Sequence, residues 1–218
     1  MRGRDASGGQ AMVRRTRGFT LIEMMIVTAV ISILAGMAVP SLLRSRVAAN
    51  EVSAQATMKQ LVTTEQVWRQ TDSDRNASQD YWTNDVAGFY GYRDALGASL
   101  KMVDINVATS DPVGWPTYTA APFSLPGAVS AKSGFYYTVM TTDEAGNPYQ
   151  FDVDGDGFMT HPTRFAFCGF PATYPVTGVR QHIVNEQGVV FARELGSVPP
   201  TTAWPASDPT TVGWVAVE

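Results

Sequence analysis

The 218-residue chain has one cysteine, Cys168, and two histidines, His161 and His182. A single thiol excludes an internal disulfide framework and any multi-cysteine zinc site. Neither histidine has a companion at ligand spacing, and no base stands near Cys168 in sequence to activate it as a nucleophile. P-loop, GxSxG and HExxH motifs are absent, as is any internal repeat. Basic residues are too few for a nucleic-acid face, 16 against 20 acidic, for a net charge of −4. These absences point away from an enzyme and leave no requirement for nucleic acid. Cys168, in the apolar run Phe165–Cys168, is expected to be a buried structural thiol. The length suits one domain with an appendage, and 44% hydrophobic residues are enough for a real core.

What charge there is sits unevenly. Residues 1–18 carry a net +4, residues 19–43 only Glu23, residues 44–70 a net +2, and residues 71–218 a net −9. From Met24 to Leu43 the chain has 20 consecutive uncharged residues. About 20 apolar residues cross about 30 Å of hydrocarbon as a helix. Arg14, Arg15 and Arg17 precede the run, so the positive-inside rule leaves the N-terminus in the cytoplasm and exports the remainder of the chain. Arg44 and Arg46 on the far side weaken that bias slightly. A cleaved secretory signal fits less well. Its apolar core would be shorter, no clear A-x-A site comes after the run, and an acid stands near its start.

Helical periodicity continues beyond the run. Val47, Ala54, Met58, Leu61 and Trp68 form one stripe, widened by Val62, while Asn50, Gln55, Lys59, Gln60 and Gln66 fill the other faces. The spacing predicts one helix over residues 20–70, about 75 Å long. Gly36 and Pro40 are expected to break it by a bend or local melting, since proline removes a donor and clashes with the preceding turn. Residues 71–134 read as loops with aromatic clusters at Tyr81-Trp82 and Phe89–Tyr92, the latter a core candidate, and a short helix near Asp94–Lys101. Strands are predicted at 135–140, 149–153, 164–169, 179–185 and 189–193, with turns at 144–147 and 186–188. The tail from Val198 has no clear place. The fold class is α+β: a long N-terminal helix packed by its amphipathic half on a C-terminal antiparallel sheet.

The run Arg17-Gly18-Phe19-Thr20-Leu21-Ile22-Glu23, continued by an apolar helix with Pro40, resembles the prepilin signature of type IV pilins and type II secretion pseudopilins. The resemblance covers residues 12–45 closely. It implies a leader over 1–18, a helix over 19–70 and a globular head over 71–218. It also implies cleavage between Gly18 and Phe19 by a prepilin peptidase, then N-methylation of Phe19. The mature chain would have 200 residues. The implied partners are further copies of the chain and other pilins or pseudopilins, an inner-membrane assembly platform and a separate assembly ATPase. The implied location is the bacterial inner membrane, then a periplasmic or surface filament. Glu23 has a physical reason to take part. An ionisable group at the edge of a membrane helix costs on the order of 2.5–3.5 kcal/mol, so it needs a partner. Cleavage creates one, the α-amine of Phe19 on a neighbouring subunit. The segment Thr177-Gly178-Val179-Arg180 loosely resembles a turn before the final hairpin of some pilin-like proteins.

Two readings of the subunit remain at this level. A type IV pilus subunit is favoured over a secretion pseudopilin, because no Tyr-Pro-Thr-like element comes after the helix and the mature chain is long. A membrane-anchored enzyme lacks any catalytic constellation. Translation is expected to start at Met12, which gives a leader of ordinary length. Asp152-Val153-Asp154-Gly155-Asp156-Gly157 places three carboxylates as in a calcium loop, but Thr163 stands where the closing Glu would be. A calcium site at Asp152, Asp154 and Asp156 therefore competes with a solvated acidic turn.

Overall fold

The computed structural model describes residues 18–93, 100–113, 128–152 and 157–217. The chain divides into two compact units, with the boundary between Leu42 and Leu43.

Over its described residues the first unit is helical from Leu21. Helix α1 runs Leu21–Thr71, so its N-terminal part lies here and the rest in the second unit. It starts with a capping box. The Thr20 N–H and hydroxyl each donate to Glu23 Oε2 at 2.8 Å, and the Glu23 N–H donates to Thr20 Oγ1 at 3.2 Å. Two hydroxyls of the apolar run bond their own backbone. Thr28 Oγ1 donates to Met24 O at 2.9 Å, and Ser32 Oγ to Thr28 O at 2.7 Å. Thr28 and Ser32 are thus satisfied within the helix, as an apolar medium requires. Every residue from Phe19 to Leu43 is exposed, Leu21 to 77% and Met37 to 75%.

α1 is uninterrupted through Gly36 and Pro40, against the expected local melting. The two residues are four apart. The carbonyl that the Pro40 ring crowds, and that loses its donor, is the carbonyl of Gly36. A residue without a Cβ gives the backbone room to adjust, so one lost bond does not stop the ladder.

In the second unit α1 buries one face, with Ala54, Met58, Leu61, Val62 and Trp68 as its apolar residues. Against it lies a five-stranded antiparallel sheet. Its strands are β2 (Phe135–Val139), β4 (Ala166–Pro171), β5 (Gln181–Asn185), β6 (Val190–Arg193) and β7 (Val215–Val217), neighbours in that order. The side-chain period of two divides the sheet cleanly. Phe135, Tyr137, Phe167, Val184 and Val190 join the α1 face in one core, in which Trp68 meets Trp82 at 4.9 Å and Tyr92 at 5.4 Å between ring centroids. Ala166, Cys168 and Ile183 turn the other way, into a second core with Met140, Tyr149, Trp204 and Trp214. Gly169 lets helix and sheet approach: a Cβ there would lie 3.1 Å from Tyr137 and 3.2 Å from Met58.

Four of the five expected strands are present, within a few residues of the expected bounds. The 186–188 turn joins β5 to β6, with Gly188 at φ +77°. The expected strand near 149–153 is, over its described residues, only a bridge between Phe151 and Thr160. Its partner segment instead forms β3 (Thr160–His161), which pairs with β1 (Tyr81–Trp82) in a separate two-stranded sheet. Short helices α2 (Gly88–Gly91) and α3 (Ile105–Ala108) are additions to the expected elements, while Phe89 and Tyr92 are buried as expected. The helix expected near Asp94–Lys101 lies mostly outside the described residues. The C-terminal tail covers the far side of the sheet. Thr141 N donates to Thr202 O at 2.6 Å, Trp204 N to Thr142 O at 2.8 Å, and β7 closes the sheet edge.

Candidate assembly site

Glu23 is exposed and occupies the third position of α1, held there by Thr20. Both Thr20 donors take Oε2, and Oε1 accepts no hydrogen bond among the described residues. The carboxylate is therefore locally oriented yet keeps lone pairs for a donor from another chain. The T-x-x-E spacing of Thr20 and Glu23 is the sequence signal for this capping box, which the reading of Glu23 as a lone membrane-edge acid leaves out. Phe19 is 78% exposed, and among the described residues no atom lies within 4 Å of where a Cβ on Gly18 would stand. Gly18, Phe19 and Glu23 thus lie within one short accessible segment. Arg14, Arg15 and Arg17 fall outside the described residues.

The segment Thr177–Arg180 has a structural role that the sequence does not disclose. Glu51, on the buried face of α1, accepts from Val179 N at 3.0 Å, Arg180 N at 3.3 Å and Arg180 Nε at 2.8 Å, with a further bond from Arg180 Nη2. One carboxylate thereby ties the helix to the entry of β5. Gly178 is obligatory there, because a Cβ would fall 2.4 Å from Phe135 Cζ. Glu51→Ala should destabilise the folded chain by an amount near the low end of about 3–5 kcal/mol, since Arg180 is partly solvated. Urea unfolding of the detergent-solubilised protein measures it. An unchanged midpoint would show that the pair is only decorative.

Glu65 is fully buried and accepts from Trp82 N at 3.0 Å, and its burial pushes the carboxyl well above the usual carboxylate range. Cys168 is also fully buried, and burial pushes its thiol up to about 12. Cys168 pairs with Ile183 across β4 and β5 and faces the second core. The neighbouring His182 ring faces the other side, 5.6 Å from Phe135. Thiol and imidazole lie on opposite faces of the sheet, so they form no nucleophile–base pair.

Burial lowers the His182 pKa to about 4, with Glu51 opposing and Arg180 reinforcing the shift. Neither ring nitrogen has a hydrogen-bond partner among the described residues. A histidine whose folded pKa is depressed destabilises the fold as pH drops below its unfolded value of about 6.5, because only the unfolded chain takes up the proton. His182→Leu should therefore raise the melting temperature, and the gain should grow between pH 6.5 and 4. A gain independent of pH would show that the imidazole does not titrate in this window.

Of the calcium candidates, Asp152 is exposed, while Asp154 and Asp156 lie outside the described residues. Among the described residues no three His, Cys, Asp or Glu side chains are grouped to hold a metal. α1 is long and apolar enough to cross a membrane, and none of its apolar window is buried in the chain's own fold.

Comparison with known proteins gives two family matches. Residues 35–210 match the family described as "Protein of unknown function (DUF2950)". Residues 13–39 match the "Prokaryotic N-terminal methylation motif". One curated relative is the Type IV major pilin protein PilA of Myxococcus xanthus (strain DK1622), 35% identical over 91 residues. That alignment covers 38% of this chain and 39% of the relative, so the chain spans well under half the length of the relative it matches. No solved structure matches.

Proposed function

We propose that this chain, which belongs to the DUF2950 family over residues 35–210 and opens with a prokaryotic N-terminal methylation motif, is a structural subunit of a type IV pilus-like filament. The observation that carries this reading is the joining of that motif to an exposed apolar helix whose first turn presents a single oriented carboxylate, Glu23. The similarity to a type IV major pilin supports a pilin-like subunit.

The order of events is the one the N-terminal methylation motif implies, and the charges agree with its orientation. The precursor sits in the inner membrane with the +4 leader in the cytoplasm. A prepilin peptidase cuts between Gly18 and Phe19, and methylation of the new amine keeps its positive charge. Subunits then leave the bilayer laterally, exchanging lipid contacts for helix contacts along residues 19–45. Ala29, Ala35, Gly36 and Ala38 allow close approach of neighbouring helices. Glu23 Oε1 receives the Phe19 amine of an adjacent subunit, which sets register. The platform and ATPase that drive extraction are separate chains. Mass spectrometry of sheared surface filaments tests the reading. This chain beginning at Phe19 is the expected component. Its absence from filaments, combined with a secretion defect on deletion, would assign it to a pseudopilin instead.

A further inference from the structure

Where α1 enters the second unit, a groove of about 530 Å³ opens between Leu43, Arg44 and Val47 of the helix and Pro175, Val176 and Val179 of the β4–β5 connection. This connection is built rather than loose. Val176 N and Thr177 N both donate to Thr173 O at 2.8 Å. Asn50 Nδ2 donates to Thr177 O at 2.9 Å, and Val179 N to Glu51 Oε1 at 3.0 Å. With Thr177 and Val179 fixed at Asn50 and Glu51, Pro175 and Val176 reach back along the helix towards Leu43. Val176 is nevertheless 66% exposed.

Leu43 is the last residue of the uncharged run and Arg44 the first charge after it. Connectivity alone therefore puts the groove where the helix leaves the hydrocarbon. Leu43 to Glu51 rises about 12 Å along the helix, comparable with a headgroup layer of about 5–8 Å plus the adjacent solvent. We infer that this groove is a membrane-docking surface: the Pro175–Val176 apex enters the headgroup layer on the exported side, apolar walls take the upper part of a phospholipid acyl chain, and Arg44 holds its phosphate. The inference rests on the reading that residues 24–43 span the membrane.

The charges at the groove agree with a phosphate-bearing occupant. Glu51 is the acid in its lining, and it is already engaged by Arg180 and two backbone N–H groups. Arg44 and Arg46 are exposed and carry long apolar stems suited to an interface. A residue such as Val176 buried a few ångströms into the headgroup boundary gains its apolar transfer energy there. The docking restrains the head close to the bilayer before assembly, so leaving the membrane exchanges lipid for subunit contacts at this groove as well as along the helix.

The test uses the full chain in vesicles of phosphatidylethanolamine and phosphatidylglycerol, some with a doxyl spin label near the headgroup end of the acyl chain. A nitrobenzoxadiazole fluorophore is placed on Val176→Cys, on Leu34→Cys within the apolar run, and on Val67→Cys far along α1. Cys168 is buried and does not compete for label. The expected result is a blue-shifted emission quenched by doxyl lipid at positions 176 and 34, no quenching at 67, and weaker quenching at 176 when Arg44→Gln is added. Quenching at 34 with position 176 behaving like 67 overturns the docking while the membrane span stands. Absence of quenching at 34 removes the span and the docking together. A blue shift at 176 that rises with protein-to-lipid ratio and is insensitive to doxyl lipid assigns the groove to a second copy and overturns the lipid.

Discussion

Replacing Glu23 by alanine is expected to leave membrane insertion and leader removal intact but to abolish filaments. Alanine raises the apolarity of the run, so insertion is not impaired. On the proposed pairing, assembly loses a carboxylate facing a neighbouring amine in a water-poor core, and truncating one partner of such a pair costs about 2–5 kcal/mol. Per subunit contact that is a weakening of about 30-fold or more. The capping box adds a second effect that must be separated. Glu23 also satisfies the Thr20 N–H, and losing a cap costs about 0.5–2 kcal/mol of helix stability. Glu23→Gln makes the distinction, because a glutamine carbonyl still accepts from Thr20 but carries no charge. If the ion pair between subunits matters, Glu23→Gln fails to assemble almost as completely as Glu23→Ala. If only the cap matters, it restores filaments. Counting filaments by electron microscopy, with processed subunit measured in the membrane fraction, reads both outcomes. Filaments at wild-type levels from Glu23→Ala would falsify the pairing.

Gly18→Val is expected to block leader removal completely and to trap the precursor in the membrane. The substitution is expected to spare the fold, because a Cβ at Gly18 meets no atom of the described residues within 4 Å. Any defect therefore belongs to recognition by the peptidase rather than to folding. The consequence is electrostatic. On the proposed assembly, an uncleaved subunit keeps a +4 segment at the end of the helix bound for the filament core, and it never exposes the amine proposed to pair with Glu23. Precursor should accumulate at the unprocessed mass, with no filaments and a normally melting head. Gly18→Ala should show the same defect in lesser or equal degree. Mature chain beginning at Phe19 in the Gly18→Val strain would place the cut elsewhere.

The segments most readable from sequence are those governed by local chemistry. An uncharged run of 20 residues can satisfy its backbone in lipid only as a helix, and the period of the stripe from Ala54 to Trp68 selects the buried face beyond it. Short runs containing β-branched or aromatic residues, bounded by turn signals, locate β2, β5 and β6 in the same way. Features that depend on partners distant in sequence are not legible. Glu51 sits on the helix stripe three residues before Ala54, but nothing local says that Arg180, 129 residues later, will meet it. β1 and β3 are two residues each, too short to show a period, and exist because Trp82 packs on Trp68 and pairs with Thr160. At Pro40, where a bend or local melting is expected, α1 does not melt, for a different reason. The proline rule depends on which residue lies four positions earlier, and here Gly36 supplies the carbonyl that the ring displaces.

Charges and apolar residues counted along single stretches of chain are enough to mark the apolar run, hydrophobic periodicity gives the α+β class, and the processing segment is what the prepilin resemblance implies. The same counting gives the contrast between a basic leader and an acidic body. Three further properties come from packing alone: where the tail goes, which side of the sheet holds Cys168, and what Thr177–Arg180 is for. Their common cause is that the sheet has two apolar faces. One is covered by α1. The other is covered by the C-terminal segment, which brings Trp204 and Trp214 onto Ile183 and Cys168. The same packing presses the β4–β5 connection onto the turn of α1 beside Arg44, forming a groove that neither segment contains alone.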